Sequence, residues 1–333
     1  MAVDLLDTSQ VFRDTITACE TALAPYVDWS LTAVLRGHDN TPALDRVDIV
    51  QPVSWAMMLA LAALWRAAGV NPTAVIGHSQ GEIAAAVTAG GLTLQDGARI
   101  IALRSKALRA LSGGGAMASL ALTQPQTEQL ITPWADHISI AAINGPTSTV
   151  VAGQPEALDE LLTHCQTSDI WARKIPVDYA SHSPHVEEIR DTLTHQLHDI
   201  TPRTSHTTFH STVTTTPLDT RQLDATYWYR NLRNPVQLAP TITQLTTPDT
   251  VFIEISAHPV LTPALTETLN HNGTALPTLH RNQATLTHFT HAAAQAWTHG
   301  ITIDWQTLLT PYHTKPTELP PYPFQHQHYW LTP

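Results

Sequence analysis

The chain has 333 residues, a formal charge of −11, 43% apolar residues and only 14% charged ones. This length exceeds what one hydrophobic core usually serves, so one large lobe with a smaller companion is expected. Seventeen Lys and Arg against 28 Asp and Glu exclude a nucleic-acid binder that works by neutralising phosphates, although a single local Arg can still hold a small anion.

Residues 1–14 carry no basic segment followed by an apolar run, so no signal peptide is expected. The longest apolar stretch, 53–65, is too short to span a bilayer and ends at Arg66. It reads as a buried helix opened by Pro52 and Ser54 and stopped near Gly69 and Pro72. The β-branched run Ala74-Val75-Ile76 leads through Gly77 into a helix over 82–89, which Gly90-Gly91 closes. A third helix is expected over 96–111, ended by Ser112 and Gly113-Gly114-Gly115. This alternation predicts an α/β fold with a parallel sheet. Strands are then expected over 117–122, 138–143, 149–152 and 172–177, with helices over 124–132 and 155–166 between them. Their β-α-β-β-α-β order is that of an inserted ferredoxin-like lobe. A helix over 186–197 returns to the large lobe, and a strand over 251–255 with its following turn closes the sheet. From Thr310 the chain is Pro- and aromatic-rich, as an extended surface segment would be. The expected units are 1–114 and 179–295 for the large lobe, 115–178 for the small lobe and 296–333 for a trailing linker.

Cys19 and Cys165 stand in neither a metal-type nor a redox-type spacing, which predicts a reducing, cytoplasmic setting without disulfides. His326 and His328 are two possible ligands on one extended segment, and two ligands do not make a metal site. No metal or redox cofactor is expected.

The strongest chemical signal is Gly77-His78-Ser79-Gln80-Gly81, a G-x-S-x-G between a strand and a helix. That context makes a nucleophile elbow, which presents the Ser79 hydroxyl at the carboxyl end of a strand. The backbone N–H of Gln80 follows it at a helix N-terminus and can stabilise an oxyanion. A hydroxyl needs a base. His182, in Tyr179-Ala180-Ser181-His182-Ser183-Pro184, lies where the small lobe hands the chain back and faces the cleft. No clear Asp completes a triad, so a Ser–His dyad oriented by a backbone carbonyl is expected. Arg104, in Ala102-Leu103-Arg104-Ser105-Lys106, is one helix further on. A buried Arg there offers a planar fork for a carboxylate.

With these residues in view, the sequence resembles the acyltransferase domain of modular type I polyketide synthases, related to the malonyl-CoA:acyl-carrier-protein transacylases. The likeness runs through Arg46-Val47-Asp48-Ile49-Val50-Gln51-Pro52, the elbow, Arg104-Ser105, Asn144-Gly145-Pro146 and Tyr179 to Pro184. It continues through Tyr227-Trp228, Asn231-Leu232-Arg233-Asn234-Pro235 and His258-Pro259-Val260-Leu261. The tail, Leu319-Pro320-Pro321-Tyr322-Pro323-Phe324 to Tyr329-Trp330-Leu331, resembles the linker that packs back toward the ketosynthase. The resemblance implies an α/β-hydrolase-like large lobe with the ferredoxin-like insertion. It implies that Ser79 is acylated, that His182 acts as base and then acid, and that Arg104 holds the free carboxylate of an extender unit. Gln51 would line the pocket, and the carbonyl of Asn231 would orient His182. The partners implied are malonyl-CoA or methylmalonyl-CoA, a phosphopantetheine-bearing acyl carrier protein and a ketosynthase domain of a larger synthase. Tyr179-Ala180-Ser181-His182 is the form associated with methylmalonyl-CoA, because Ser181 in place of Phe leaves room for an α-methyl group.

Family members open on a strand and a Gly-Gln-Gly-Ser-Gln loop, and this chain begins just after them. That implies an N-terminally truncated member lacking one oxyanion donor, a loss of about 100- to 1000-fold in rate. Two other functions follow from the same residues. A thioesterase or hydrolase on the same elbow requires a triad carboxylate and no Arg104. An inactive synthase fragment requires neither.

Overall fold

The computed structural model describes residues 3–310 together with Glu318, Pro320, Pro321 and Pro323. The His326/His328 pair and most of the trailing linker lie outside the described residues. Within them the strands are, in chain order, β1 Ala74–Ile76, β2 Ala116–Leu120, β3 Ile138–Gly145, β4 Ser148–Gly153, β5 Ala172–Ile175, β6 Thr208–His210, β7 Val236–Gln237, β8 Val251–Glu254 and β9 Thr274–Pro277.

After a 14-residue helix, Gln10–Leu23, the longest described helix is Val47–Ala67, which starts one and a half turns before Pro52. The expected start at Pro52 was too late. Proline removes one helical N–H, but a helix face packed into the core outweighs that single lost bond. With 21 residues this helix is long and apolar enough to cross a membrane, yet 72% of its apolar window is buried inside the fold. Trp55, Ala60 and Leu61 on it are fully buried in the large-lobe core, with Phe12, Ile83, Ile101 and Trp228.

The parallel pairing expected of the large lobe occurs as two ribbons. β1 runs beside β6 with Val75 opposite Phe209, and β8 runs beside β9 with Ile253 opposite Leu276. The strand expected over 251–255 therefore pairs with β9, and no ladder joins it to β1 among the described residues. The segment expected as one helix over 186–197 is a 3-10 turn, Pro184–Ile189, followed by a short α-helix, Arg190–Gln196.

The small lobe has the strand order β5-β2-β4-β3, antiparallel throughout, with the helices Gln124–Leu130 and Pro155–Thr167 in its crossovers. This is the ferredoxin-like order. Thr123 caps the first of these helices through a capping box with Gln126. Side chains alternate along a strand, and both faces of this sheet are covered. Ala118 and Val151 face the helices, in a core with Leu158 and Leu161. Met117, Val150 and Ala152 face the other way, in a core that also contains Ala180, Val236 and Leu265. That second core joins the lobes, and β7 extends the sheet by pairing parallel to β3.

Candidate active site

β1 ends at Ile76, and the chain turns sharply through Gly77, His78 and Ser79 into the helix Gly81–Ala89. Gly77 is required sterically, since a Cβ there would lie 2.1 Å from the Glu82 backbone nitrogen. Ser79 has φ +53°, in the left-handed region that costs a non-glycine residue about 1–3 kcal/mol. This strained turn is the geometry expected of a nucleophile elbow. Gln80 takes the N-cap position of the helix without a side-chain capping bond.

His182 arrives from the opposite side on the loop after β5. It too has positive φ, +60°, and its N–H donates to the Leu232 carbonyl at 2.8 Å. Its Nε2 lies 2.8 Å from Ser79 Oγ, and its Nδ1 lies 2.8 Å from the Asn234 carbonyl oxygen. A carbonyl only accepts, so Nδ1 carries the proton and Nε2 presents its lone pair to the serine hydroxyl. The orienting carbonyl is thus that of Asn234, correcting the expectation of Asn231. Helix Ala225–Arg233 ends one residue before Asn234, whose extended ψ of 154° turns its carbonyl toward the imidazole. Asn231, one turn back, points its side chain beneath the elbow and donates to the Ser79 carbonyl at 3.3 Å.

Arg104 comes from the helix Leu94–Arg109 and is 1% exposed. Its Nη2 donates to Ser79 Oγ at 3.0 Å and its Nη1 to Gln51 Oε1 at 2.9 Å, while its buried Nε has no partner. No carboxylate forms an ion pair with it among the described residues. Burial lowers its pKa to about 10, which leaves it cationic at neutral pH. Tyr179 lies close to this pair: burial raises its pKa, the Arg104 charge opposes that, and Gln51 hydrogen bonds to its hydroxyl. Ser181, also buried, donates to Met117 Sδ of β2 at 3.4 Å. The loop 179–182 therefore alternates between the Arg104 side, the interlobe core and the serine.

Burial also lowers the His182 pKa to about 3, and the nearby Arg104 charge adds to the effect. The imidazole is neutral at physiological pH, as a general base must be. His78, beside the nucleophile, meets Asn144 Oδ1 of β3 at 2.8 Å and so ties the elbow to the small lobe. No sequence motif announces that bond. Asn144 stood only in a matching motif, and no local pattern pairs residues 66 positions apart. Among the described residues no group of three or more His, Cys, Asp or Glu is placed to hold a metal ion. Ser79, His182, Arg104, Gln51 and Tyr179 meet in one place, with Gln80 and Ser181 at its edge.

With this geometry in view, similarity to known proteins is extensive. The family described as the acyl transferase domain matches residues 1–303. The chain is 50% identical over 334 residues to the pikromycin polyketide synthase component PikAII of Streptomyces venezuelae, covering 99% of this chain and 9% of that protein. It is 49% identical over 337 residues to the spectinabilin polyketide synthase system protein NorA' of Streptomyces orinoci, again spanning only 9% of its length. Among solved structures, the acyltransferase domain from module 8 of the salinomycin polyketide synthase superimposes with a TM-score of 0.90 at 50% identity, over 92% of this chain and 74% of that one. A loading acyltransferase from the avermectin modular polyketide synthase does so with a TM-score of 0.87 at 46% identity, over 89% and 95%.

Proposed function

This chain belongs to the acyl transferase domain family, and from that premise we propose that it moves a carboxylated acyl group, methylmalonyl in particular, from coenzyme A to the phosphopantetheine thiol of an acyl carrier protein in polyketide biosynthesis. The observation that carries this reading is Arg104, a buried guanidinium that touches the candidate nucleophile and has no carboxylate partner among the described residues. A buried cation is costly unless paired, and a carboxylate on the substrate supplies the missing partner. The acceptor at His182 Nδ1 is a backbone carbonyl, which favours the dyad over a triad hydrolase.

In the proposed reaction Ser79 Oγ attacks the thioester carbonyl while its proton passes to His182 Nε2. The carbon–sulfur bond breaks, and the imidazolium returns that proton to the departing thiolate, releasing coenzyme A. The acyl group stays on Ser79 as an ester. The carrier-protein thiol then gives its proton to His182 and attacks the ester carbonyl, and Ser79 leaves with the proton. The Gln80 N–H stabilises the oxyanion in both halves. Arg104 moves from Ser79 Oγ to the substrate carboxylate, with Gln51 and Tyr179 beside it. The enzyme works next to a ketosynthase domain within a larger synthase in the cytoplasm, a setting that suits its two free, buried cysteines.

Ser181 decides the extender unit in this reading. In this reading its small side chain, which meets Met117 Sδ, leaves room for an α-methyl group that a Phe side chain would fill. One methyl in an apolar pocket is worth about 1–3 kcal/mol. In a competition between equal malonyl-CoA and methylmalonyl-CoA, read by intact-protein mass spectrometry, Ser181→Phe is expected to shift loading toward malonyl by roughly 10- to 200-fold. An unchanged ratio in a folded variant contradicts this assignment of selectivity.

A further inference from the structure

Directly beneath the elbow lies Glu82, the second residue of the helix Gly81–Ala89, with 0% exposure and no ion pair among the described residues. Four donors converge on its carboxylate. Oε1 accepts from the Thr212 N–H at 2.6 Å and the Thr212 hydroxyl at 2.7 Å. Oε2 accepts from the Tyr227 hydroxyl at 2.6 Å and Asn231 Nδ2 at 2.9 Å. Ser211 Oγ lies 2.8 Å from the Tyr227 hydroxyl and completes the cluster. Two of these partners, the Thr212 N–H and Asn231 Nδ2, can only donate, so each carboxyl oxygen is held as an acceptor by a fixed donor, while the two hydroxyls can donate or accept. Burial raises the Glu82 pKa, and the hydrogen bonds from Tyr227, Thr212 and Asn231 oppose that rise without cancelling it.

Two members of the cluster also hold the catalytic turn. Asn231 Nδ2 has two protons and reaches both Glu82 and the Ser79 carbonyl, the latter at 3.3 Å; the Thr212 hydroxyl has one proton to divide between Glu82 and the Gly77 carbonyl, 3.1 Å away. The buried Asn231 Oδ1 has no partner, so only Nδ2 ties the amide to its surroundings. Flipping the amide would set Oδ1 against the Glu82 carboxylate. Glu82 thus selects the orientation in which Asn231 reaches Ser79. The elbow itself is strained, with Ser79 at φ +53°, and a strained conformation persists only where its surroundings over-determine it.

We propose that Glu82 is a positioning residue: its buried carboxyl group orients Asn231, whose amide holds the Ser79 carbonyl and with it the Ser79 hydroxyl on His182. This inference rests on Ser79 being the nucleophile. It does not depend on which acyl group the site accepts.

The test is the labelling rate of Ser79 by a fluorophosphonate, a probe that reports an activated serine whatever acyl group the pocket prefers. Glu82→Gln replaces one carboxyl oxygen by an amide donor at nearly constant shape, and Asn231→Ala removes the arm to Ser79. Each variant is expected to label about 100-fold more slowly at saturating probe, the scale of a roughly 1 Å misplacement of a reacting group. The probe concentration giving half the maximal rate is expected to stay the same, because the pocket wall is unchanged. A role confined to stability would lower the melting midpoint and leave the saturating rate alone. Variants that melt cooperatively and label at the original rate overturn the proposal. Should Glu82→Gln fail to fold, Asn231→Ala decides alone by the same two outcomes. An unmodified chain that does not label at Ser79 overturns this inference together with the nucleophile assignment. One that labels but accepts no carboxylated acyl group from coenzyme A defeats only the transfer reading.

Discussion

Replacing His182 by alanine is expected to slow acylation of Ser79 by about 10²- to 10⁴-fold, the usual worth of a positioned general base. Among the described residues, the imidazole is the hydrogen-bond partner of Ser79 Oγ that can accept its proton, since the other, Arg104, only donates. The pH dependence carries a sharper signature. Burial and the Arg104 charge lower the His182 pKa from 6.5 to about 3. The base therefore stays neutral well below the ordinary histidine range, and the rate of coenzyme A release is expected to remain flat from neutral pH to about pH 5. The same shift affects stability with a definite sign. The unfolded chain protonates this histidine near 6.5 while the folded chain resists until about 3, so acid favours unfolding across that interval. Rates must accordingly be read where the melting curve shows a folded chain. A rate that halves near pH 6.5, with the fold intact, contradicts the proposed environment of His182.

The second large effect belongs to Arg104. Arg104→Ala is expected to reduce loading of malonyl and methylmalonyl groups by roughly 30- to 5000-fold, corresponding to about 2–5 kcal/mol for a buried charge pair that loses one partner. Acetyl-CoA and propionyl-CoA carry no carboxylate and should lose far less. The comparison between these substrate classes separates recognition from damage, because a misfolded variant loses all substrates alike. Arg104→Lys is not expected to restore the carboxylated substrates fully. An ammonium is a point charge and cannot reproduce the planar fork that keeps one nitrogen on Gln51 while another turns from Ser79 to a carboxylate. Parallel losses for acetyl and methylmalonyl groups would remove the basis for a carboxylated substrate.

What the sequence disclosed about this site followed from how local each signal is. The turn at Gly77 to Gly81 announces itself because a strand, a glycine whose Cβ would strike Glu82 and a helix start fall within ten residues. The small lobe was legible for a similar reason: its strands and helices are each long enough to have a period, and their order alone fixes a ferredoxin-like path. The misses are non-local or short. Strands β6, β7 and β9 are three, two and four residues long, and β9 ends in Pro277, a residue that argues against a strand in sequence reading. The start at Val47 was hidden by Pro52, which looks like a first helical residue. Asp48, ahead of that proline, is buried by Arg46 and Arg109, the latter 61 positions away. The choice between Asn231 and Asn234 hinged on where one helix ends, and helix ends are the least legible feature of a sequence. Asn231 still belongs to the site, through its side chain rather than its carbonyl.

The central claim is that Ser79 carries a carboxylated acyl group, and one measurement addresses it most directly. The chain is mixed with equal methylmalonyl-CoA, malonyl-CoA and acetyl-CoA, its intact mass is recorded, and the adduct is mapped by peptide mass spectrometry beside Ser79→Ala. The expected result is a single adduct of methylmalonyl mass on the peptide containing Ser79, absent from the variant. An adduct on another residue, or acetyl loading as readily as the carboxylated groups, would contradict it.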